Sequence, residues 1–155
     1  FLRPAPGEVD HLWSMHVLDE PLMVAMPSEH PQASRKRVDL KLLAREDFIL
    51  YPRQNGRALF DLIISVCSDV GFSPKVLQIA PQMTSIVNLV ATGIGLSIVP
   101  ASIAQVTTPG VVYRPLSGTK ARAALMLART PSAELRPALL FTDLVKDLVS
   151  GKPAA

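Results

Sequence analysis

The sequence holds a single cysteine, Cys67, among 155 residues. No internal disulfide can form, and there is no thiolate cluster for zinc or an iron–sulfur centre. A reducing cytoplasm is the expected location. Histidine is scarce: His11, His16 and His30 all fall near the N-terminus in turn-like or strand-edge surroundings, and none has a partner at metal-ligand spacing, so surface positions are expected and no metal or cofactor is implied. There is no G-x-S-x-G elbow and no run of Ser, His and carboxylate that suggests a triad. The chain does not start with Met and lacks a basic-then-apolar leader. Its most hydrophobic stretch, Ile86 to Val106, has the length of a membrane span but is interrupted by Asn88, Thr92, Gly93, Gly95, Ser97, Pro100, Ser102 and Gln105. That stretch reads as core.

Charge of one sign is also missing over a long interval. Between Asp69 and Glu134 there is no carboxylate, whereas Lys75, Arg114, Lys120, Arg122 and Arg129 all lie there. Two readings fit. Either this half holds two buried strands and their helices, with few positions left for charge, or a pocket is kept free of acids because its ligand is an anion. Helix N-termini and arginine forks bind carboxylates without a metal, and Arg3, Arg53 and Arg57 are the available forks. An enzyme would need a general acid or base in such a pocket, and only Asp61 and Glu46 remain, in helical or solvated settings.

What is present is a foldable chain: 48% apolar and 19% charged residues, with a net charge of +3. This size suits one domain or two small lobes, and the small positive excess does not by itself argue for nucleic acid. Pro21 to Pro27 reads as a strand closed at both ends by proline, Val38 to Arg45 as a short helical turn, and Asp47 to Tyr51 as a second strand. Beyond the turn Pro52 to Gly56, the residues Leu59, Leu62, Ile63, Val66, Cys67 and Val70 recur at helical spacing. Gly71 and Pro74 end that helix, and Lys75 to Ile79 resumes as a strand.

A second helix from Pro81 carries Met83, Ile86, Val87, Val90 and Ala91 on one face. Gly93 ends it before the strand Leu96 to Pro100. The segment Gly93-Ile-Gly95 therefore follows a helix and precedes a strand, the reverse of a dinucleotide loop. Further elements are a short helix over Ala101 to Val106, strands at Val111 to Arg114 and Ala123 to Ala128, and a last helix opening near Thr130-Pro131-Ser132 that buries Phe141, Leu144, Val145 and Leu148. Strands alternating with amphipathic helices imply an α/β fold with mostly parallel sheets and helices on both faces. Ligands of such sheets sit beyond the strands' carboxyl ends, which singles out Pro52 to Arg57 and Ala80-Pro81-Gln82-Met83.

Several stretches together carry a family resemblance: Phe1-Leu2-Arg3, Glu20 to Pro27 with Glu29-His30-Pro31, Phe48 to Arg53, and above all Gln82 to Pro100 (QMTSIVNLVATGIGLSIVP). With these the chain resembles the effector-sensing domain of LysR-type transcriptional regulators, and within them the branch that responds to aromatic acids and muconate. The resemblance implies a periplasmic-binding-protein-like (type II) two-lobe fold, with 1–33 and 117–150 as what remains of lobe one, 34–116 as lobe two, and 151–155 as a disordered tail. It also implies that the winged helix-turn-helix, its linker helix and the opening of lobe one are missing from this sequence. DNA would then be met only through that absent part.

By the same resemblance Arg3 matches an arginine at a strand end that can meet an effector carboxylate, and a solvent-facing strand end is the alternative. Arg57 and Leu59 match the helix start that lines the cleft, with Pro52, Arg53 and Gln82 nearby. Arg53 could equally be a solvated turn residue, Leu59 a member of the core stripe, and Gln82 a helix cap. The implied partners are a small organic acid and further copies of the chain, as a dimer or tetramer, with no membrane. The implied mechanism is conformational, with no covalent chemistry. The alternatives are a solute-binding protein for a small anion, or an enzyme such as a dehydratase on the same scaffold.

Overall fold

The computed structural model describes residues 1–5, 7–131 and 136–151. The chain divides into two compact units, one formed by Phe1–Asp19 with Ala124–Ala155 and the other by Glu20–Ala123. The division falls inside two strands, β1 (Trp13–Pro27) and β7 (Arg122–Arg129), which pair with each other and carry residues of both units.

In the unit 20–123, β2 (Val38–Asp39) leads into a short 3-10 helix, Leu40–Leu43, which starts where the Asp39 carboxylate accepts the Lys41 N–H at 3.0 Å. Next come β3 (Asp47–Leu50), α1 (Arg57–Asp69), β4 (Lys75–Ile79), α2 (Met83–Ala91), β5 (Ser97–Pro100), a second 3-10 helix over Ala101–Gln105, and β6 (Val111–Ser117). The apolar stripe fixes α1: Leu59, Ile63, Val66 and Cys67 are buried. Gly71 terminates the helix at φ +94°, a left-handed conformation that a side chain would strain, with the Phe72 N–H donating back to Cys67 O at 3.1 Å. Gly93 ends α2 in the same way at φ +82°.

Parallel pairing occurs where a helix crosses over. It links β3 to β4, β2 to β6, and Phe48 to Leu96 in an isolated bridge. Pro21 to Pro27 proves to be the end of a longer strand. This β1 runs antiparallel to β5 and β6, with Val24 opposite Ile98 of β5 on one side and Arg114 of β6 on the other. The sheet is therefore mixed where mostly parallel sheets were expected, because the chain passes from β1 to β2, which is not its neighbour in the sheet, with no single-helix crossover from β1 to an adjacent strand.

Phe48, Met26, Leu40, Leu43, Leu50, Ile63 and Ile98 form the fully buried centre. Ile86 to Val106 resolves into α2, β5 and a 3-10 helix, with Ile86, Val90, Ile98 and Val99 buried. Among the described residues no helix is long and apolar enough to cross a membrane. Gly95 is required by a close backbone approach. A Cβ there would lie 2.7 Å from Asp47 O, the atom that accepts the Leu96 N–H at 2.9 Å.

Of the two strands in the acid-free interval that were expected to be buried, β5 is buried throughout while every residue of β4 is exposed. Strand β4 lies at the edge of its ladder, paired only with β3 among the described strands.

The unit formed by 1–19 and 124–155 contains a bridge between Leu2 and Met126 and the helix α3 (Arg136–Val149). The Phe1 and Phe141 rings meet edge-on at 6.0 Å, and Arg129 and Lys146 both stand over the Trp13 ring. The expected burial of Phe141, Leu144, Val145 and Leu148 holds only for Val145, which is joined by Thr142. The apolar stripe of α3 is wider than the few elements of this unit cover, so Phe141, Leu144 and Leu148 stay exposed. Of the helix start expected near Thr130-Pro131-Ser132, Thr130 and Pro131 are not helical and Ser132 lies outside the described residues, as does all but Gly151 of the tail expected over 151–155.

Candidate functional site

The turn between β3 and α1 and the first residues of α1 carry most of the candidate residues, Pro52, Arg53, Arg57 and Leu59. After Leu50 the chain leaves the ladder at Tyr51 and Pro52, and the Asn55 and Gly56 N–H groups both donate to Pro52 O, at 3.0 and 3.2 Å. Gly56 occupies the N-cap of α1 without a side-chain cap, and the Tyr51 ring fills the space where its Cβ would stand, 2.5 Å from Cδ1. This tight wrap sets Arg53 in the turn and Arg57 in the first helical position.

Both arginines converge on one carboxylate. Arg53 donates from Nε to Asp61 Oδ1 at 2.6 Å and from a terminal nitrogen to Oδ2 at 2.9 Å, while Arg57 Nε lies 3.5 Å from Asp61 Oδ2. The Arg53 hydrogen bonds hold the Asp61 carboxyl below its ordinary pKa, with the charges of Arg53 and Arg57 adding to that effect and partial desolvation opposing it. The sequence places Asp61 only in a helical or solvated setting, and this role comes from the turn. An Arg-to-Asp spacing of eight residues is not a helical signal until the turn is known to fold back.

The other candidates are placed as follows. Pro52 is half-buried and accepts the turn's hydrogen bonds. Leu59 belongs to the core at 5% exposure, so its part in any site is to seat the helix start. Gln82 occupies the N-cap of α2, where its carbonyl accepts the Ile86 N–H at 3.0 Å, but its exposed side chain makes no capping hydrogen bond. Pro52, Arg53, Arg57, Leu59 and Gln82 all belong to the unit 20–123, whereas Arg3 belongs to the other, where it donates to Ala124 O at 3.2 Å beside the Leu2 bridge.

Three cations of the acid-free interval each have their own partners. Lys75 meets Asp47 at 2.7 Å, Arg114 donates to the Ala33 and Tyr113 carbonyls at 2.9 Å each, and Arg129 lies over Trp13. His30 also departs from the expected surface position: its side chain is 11% exposed, with Nδ1 accepting the Gln32 N–H at 3.1 Å and Nε2 lying 3.4 Å from Glu46 Oε1. It ties the turn after β1 to the loop before β3. Glu20, buried at the boundary of its unit, accepts the Ser102 N–H at 2.7 Å and so caps the second 3-10 helix. Among the described residues no group of three His, Cys, Asp or Glu is arranged to hold a metal.

Comparison with known proteins matches residues 1–149 to the LysR substrate binding domain. Among curated relatives, the HTH-type transcriptional regulator TtuA of Agrobacterium vitis is 34% identical over 116 residues, covering 75% of this chain and 38% of that protein. The chain spans between a third and a half of the length of the curated relatives it matches first.

Among solved structures, CbnR, a LysR family transcriptional regulator, superposes with a TM-score of 0.81 at 21% identity, over 94% of this chain and 50% of CbnR. The effector binding domain of QuiR in complex with shikimate gives 0.74 at 23%, over 94% and 66%. The BenM effector binding domain with its effector benzoate gives 0.71 at 22%, over 96% and 68%. These likenesses establish the type II, periplasmic-binding-protein-like α/β fold. The match over residues 1–149 establishes the family: the chain belongs to the LysR substrate-binding domain family.

Proposed function

We propose that this chain is the effector-sensing part of a LysR-type transcriptional regulator and that it recognises a small organic acid, of the aromatic or dicarboxylic kind, through the turn and helix start at Pro52 to Arg57. The observation that carries this reading is the convergence of Arg53 and Arg57 on Asp61. Two guanidinium groups at a helix N-terminus already hold a carboxylate, and that carboxylate is exposed enough to be exchanged for another. An effector acid would compete with Asp61 for the forks, gaining bidentate hydrogen bonds of the same geometry. Gln82, at the α2 N-cap, offers an amide for a second polar group of the ligand. The benzoate and shikimate held by the BenM and QuiR domains are both small monocarboxylic acids, benzoate aromatic and shikimate alicyclic.

Sensing, rather than catalysis, fits the chemistry of Asp61. A carboxylate held below its ordinary pKa between two arginines is a poor general acid, and its lone pairs are engaged. The curated relatives are transcriptional regulators. In the full-length regulator, which we place in the cytoplasm as a homo-oligomer, effector binding would act by differential affinity for two states of the assembly and bias DNA binding by a separate segment. The lobe expected over 34–116 we assign to the unit 20–123 that contains it.

Thermal unfolding with benzoate, chlorobenzoate, salicylate, cis,cis-muconate and simple dicarboxylates tests the reading. An acid at a hundred times its Kd adds about 2.7 kcal/mol to the stability of the state it binds. The expected result is a selective rise with one acid that is lost in Arg57→Ala and weakened in Arg53→Ala. Arg3→Ala shows separately whether the first unit contributes. A panel without any shift, or a shift that survives removal of both arginines, would overturn the proposal.

A further inference from the structure

A cavity of about 200 Å³ opens between α2, the segment after β5 and the start of β6, wholly within the unit 20–123. Its walls are apolar, made by Met83, Val87, Ile103 and Val106. Polar groups enter it from Thr84, Asn88, Thr108 and Tyr113. No Lys, Arg, His, Asp or Glu lines it, and none of the arginines discussed above contributes. We propose that this cavity is a second small-molecule site, and that it takes a neutral single-ring aromatic carrying a hydroxyl, of the phenol class.

Size, charge and hydrogen bonding each narrow the ligand. A dry apolar cavity of roughly 150 Å³ accommodates benzene, so about 200 Å³ is room for one substituted ring. A carboxylate would lose its hydration here with no counter-charge to meet it, which excludes the acids expected at Arg53 and Arg57. The Tyr113 hydroxyl oxygen is buried and has no partner at full hydrogen-bond geometry; the Thr108 side chain beside it acts only as a weak hydrogen-bonding neighbour, which leaves the hydroxyl capacity for a ligand partner. Burial raises the Tyr113 pKa, with the neighbouring Thr108 side chain acting in the opposite sense, so the hydroxyl stays protonated at neutral pH and can both donate and accept. A ligand hydroxyl lying against it satisfies that atom while the ring covers Val87 and Met83. Val106, 61% exposed, stands at the mouth, so the site is reachable from solvent.

The test is a titration of the chain's amide NMR spectrum with phenol, toluene and benzoate. Phenol is expected to shift the amides of residues 83–88 and 103–113 saturably, with a Kd on the order of 1 mM as suits a ligand of few atoms. Toluene should bind at least several-fold more weakly there, and benzoate should leave these amides unmoved. Tyr113→Phe should bring phenol down to the level of toluene. Val106→Trp, a substitution at an exposed position, should close the mouth and abolish saturation while the rest of the spectrum stays that of the folded chain. Shifts that do not saturate, that persist in Val106→Trp, or that benzoate reproduces at the same amides would overturn the proposal. Arg57→Ala is expected to bind phenol as the wild-type chain does. The acid-sensing reading can thus fail while this site stands, and the reverse.

Discussion

The Asp61 carboxylate is gripped by the Arg53 guanidinium at both oxygens, at 2.6 and 2.9 Å, across a turn that reverses the chain between β3 and α1. The pair is exposed, so its contribution to stability is small and screened by salt. Its importance lies in what it presents: a carboxylate-binding geometry occupied by the protein's own carboxylate.

A pH signature follows from that pair. The folded-state pKa of Asp61 lies below its ordinary value of 3.8, so the stabilisation is present above that value and is lost as pH falls through the folded pKa. The melting-temperature difference between wild type and Asp61→Asn should be constant from about pH 5 to pH 8 and shrink progressively as the pH falls below 3.8. At neutral pH Asp61→Asn should also bind the effector acid more tightly, because the internal competitor is gone. Weaker acid binding in this variant would sink the exchange model.

The glycines of the unit 20–123 should differ in cost. Gly95→Ala places a Cβ against a backbone carbonyl that anchors β3 to the segment before β5, and is expected to cost about 2–3 kcal/mol. Gly93→Ala meets no atom within 4 Å and carries only the strain of positive φ, about 1 kcal/mol. In Gly56→Ala the obstacle is the Tyr51 ring, a side chain able to swing aside, so its cost should fall between the two. Urea denaturation of the three variants gives the order directly.

Cys67 should be inert in the folded chain. Burial raises its thiol pKa from 9.0 to about 11, which lowers the thiolate fraction at pH 8 about a hundredfold. Alkylation by iodoacetamide should therefore be slow in buffer and fast in urea. Since the folded pKa is the higher one, this thiol favours the folded state below pH 9 and that contribution declines between pH 9 and 11. Rapid labelling of the native protein would contradict the burial.

On α3, Val145 and Leu148 should respond oppositely to their apparent hydrophobicity. Val145→Ala removes buried methyl groups and should cost roughly 1.5–3 kcal/mol, whereas Leu148→Gln, at an exposed site, should change stability by less than about 0.5 kcal/mol. Chemical denaturation of both variants separates the two faces of the helix.

Helices and most strands were legible along the chain because their signals are local. The stripe from Leu59 to Cys67, the terminators Gly71 and Gly93, and the proline-bounded end of β1 each lie within one element or at its border. Of the candidate site, Arg53 and Arg57 could be named from their place after a strand and at a helix start. The resemblance that named them could not show that Asp61 joins them, because that contact depends on how tightly Pro52 to Gly56 turns.

What the sequence determined by itself is periodicity, termination and class. Period 3.6 or 2 and the special dihedral needs of glycine and proline are properties of short segments, and they survive whatever the segments pack against. The family motifs, likewise, are strings of adjacent residues. Only the tertiary structure decided which partners distant residues meet: β1 antiparallel to β5 and β6, His30 beside Glu46, the exposure of β4 and of most of the α3 stripe, and a cavity closed by residues from three segments. These outcomes depend on chain crossings and on how much apolar surface a unit can cover. Both are sums over the whole chain that no single stretch encodes.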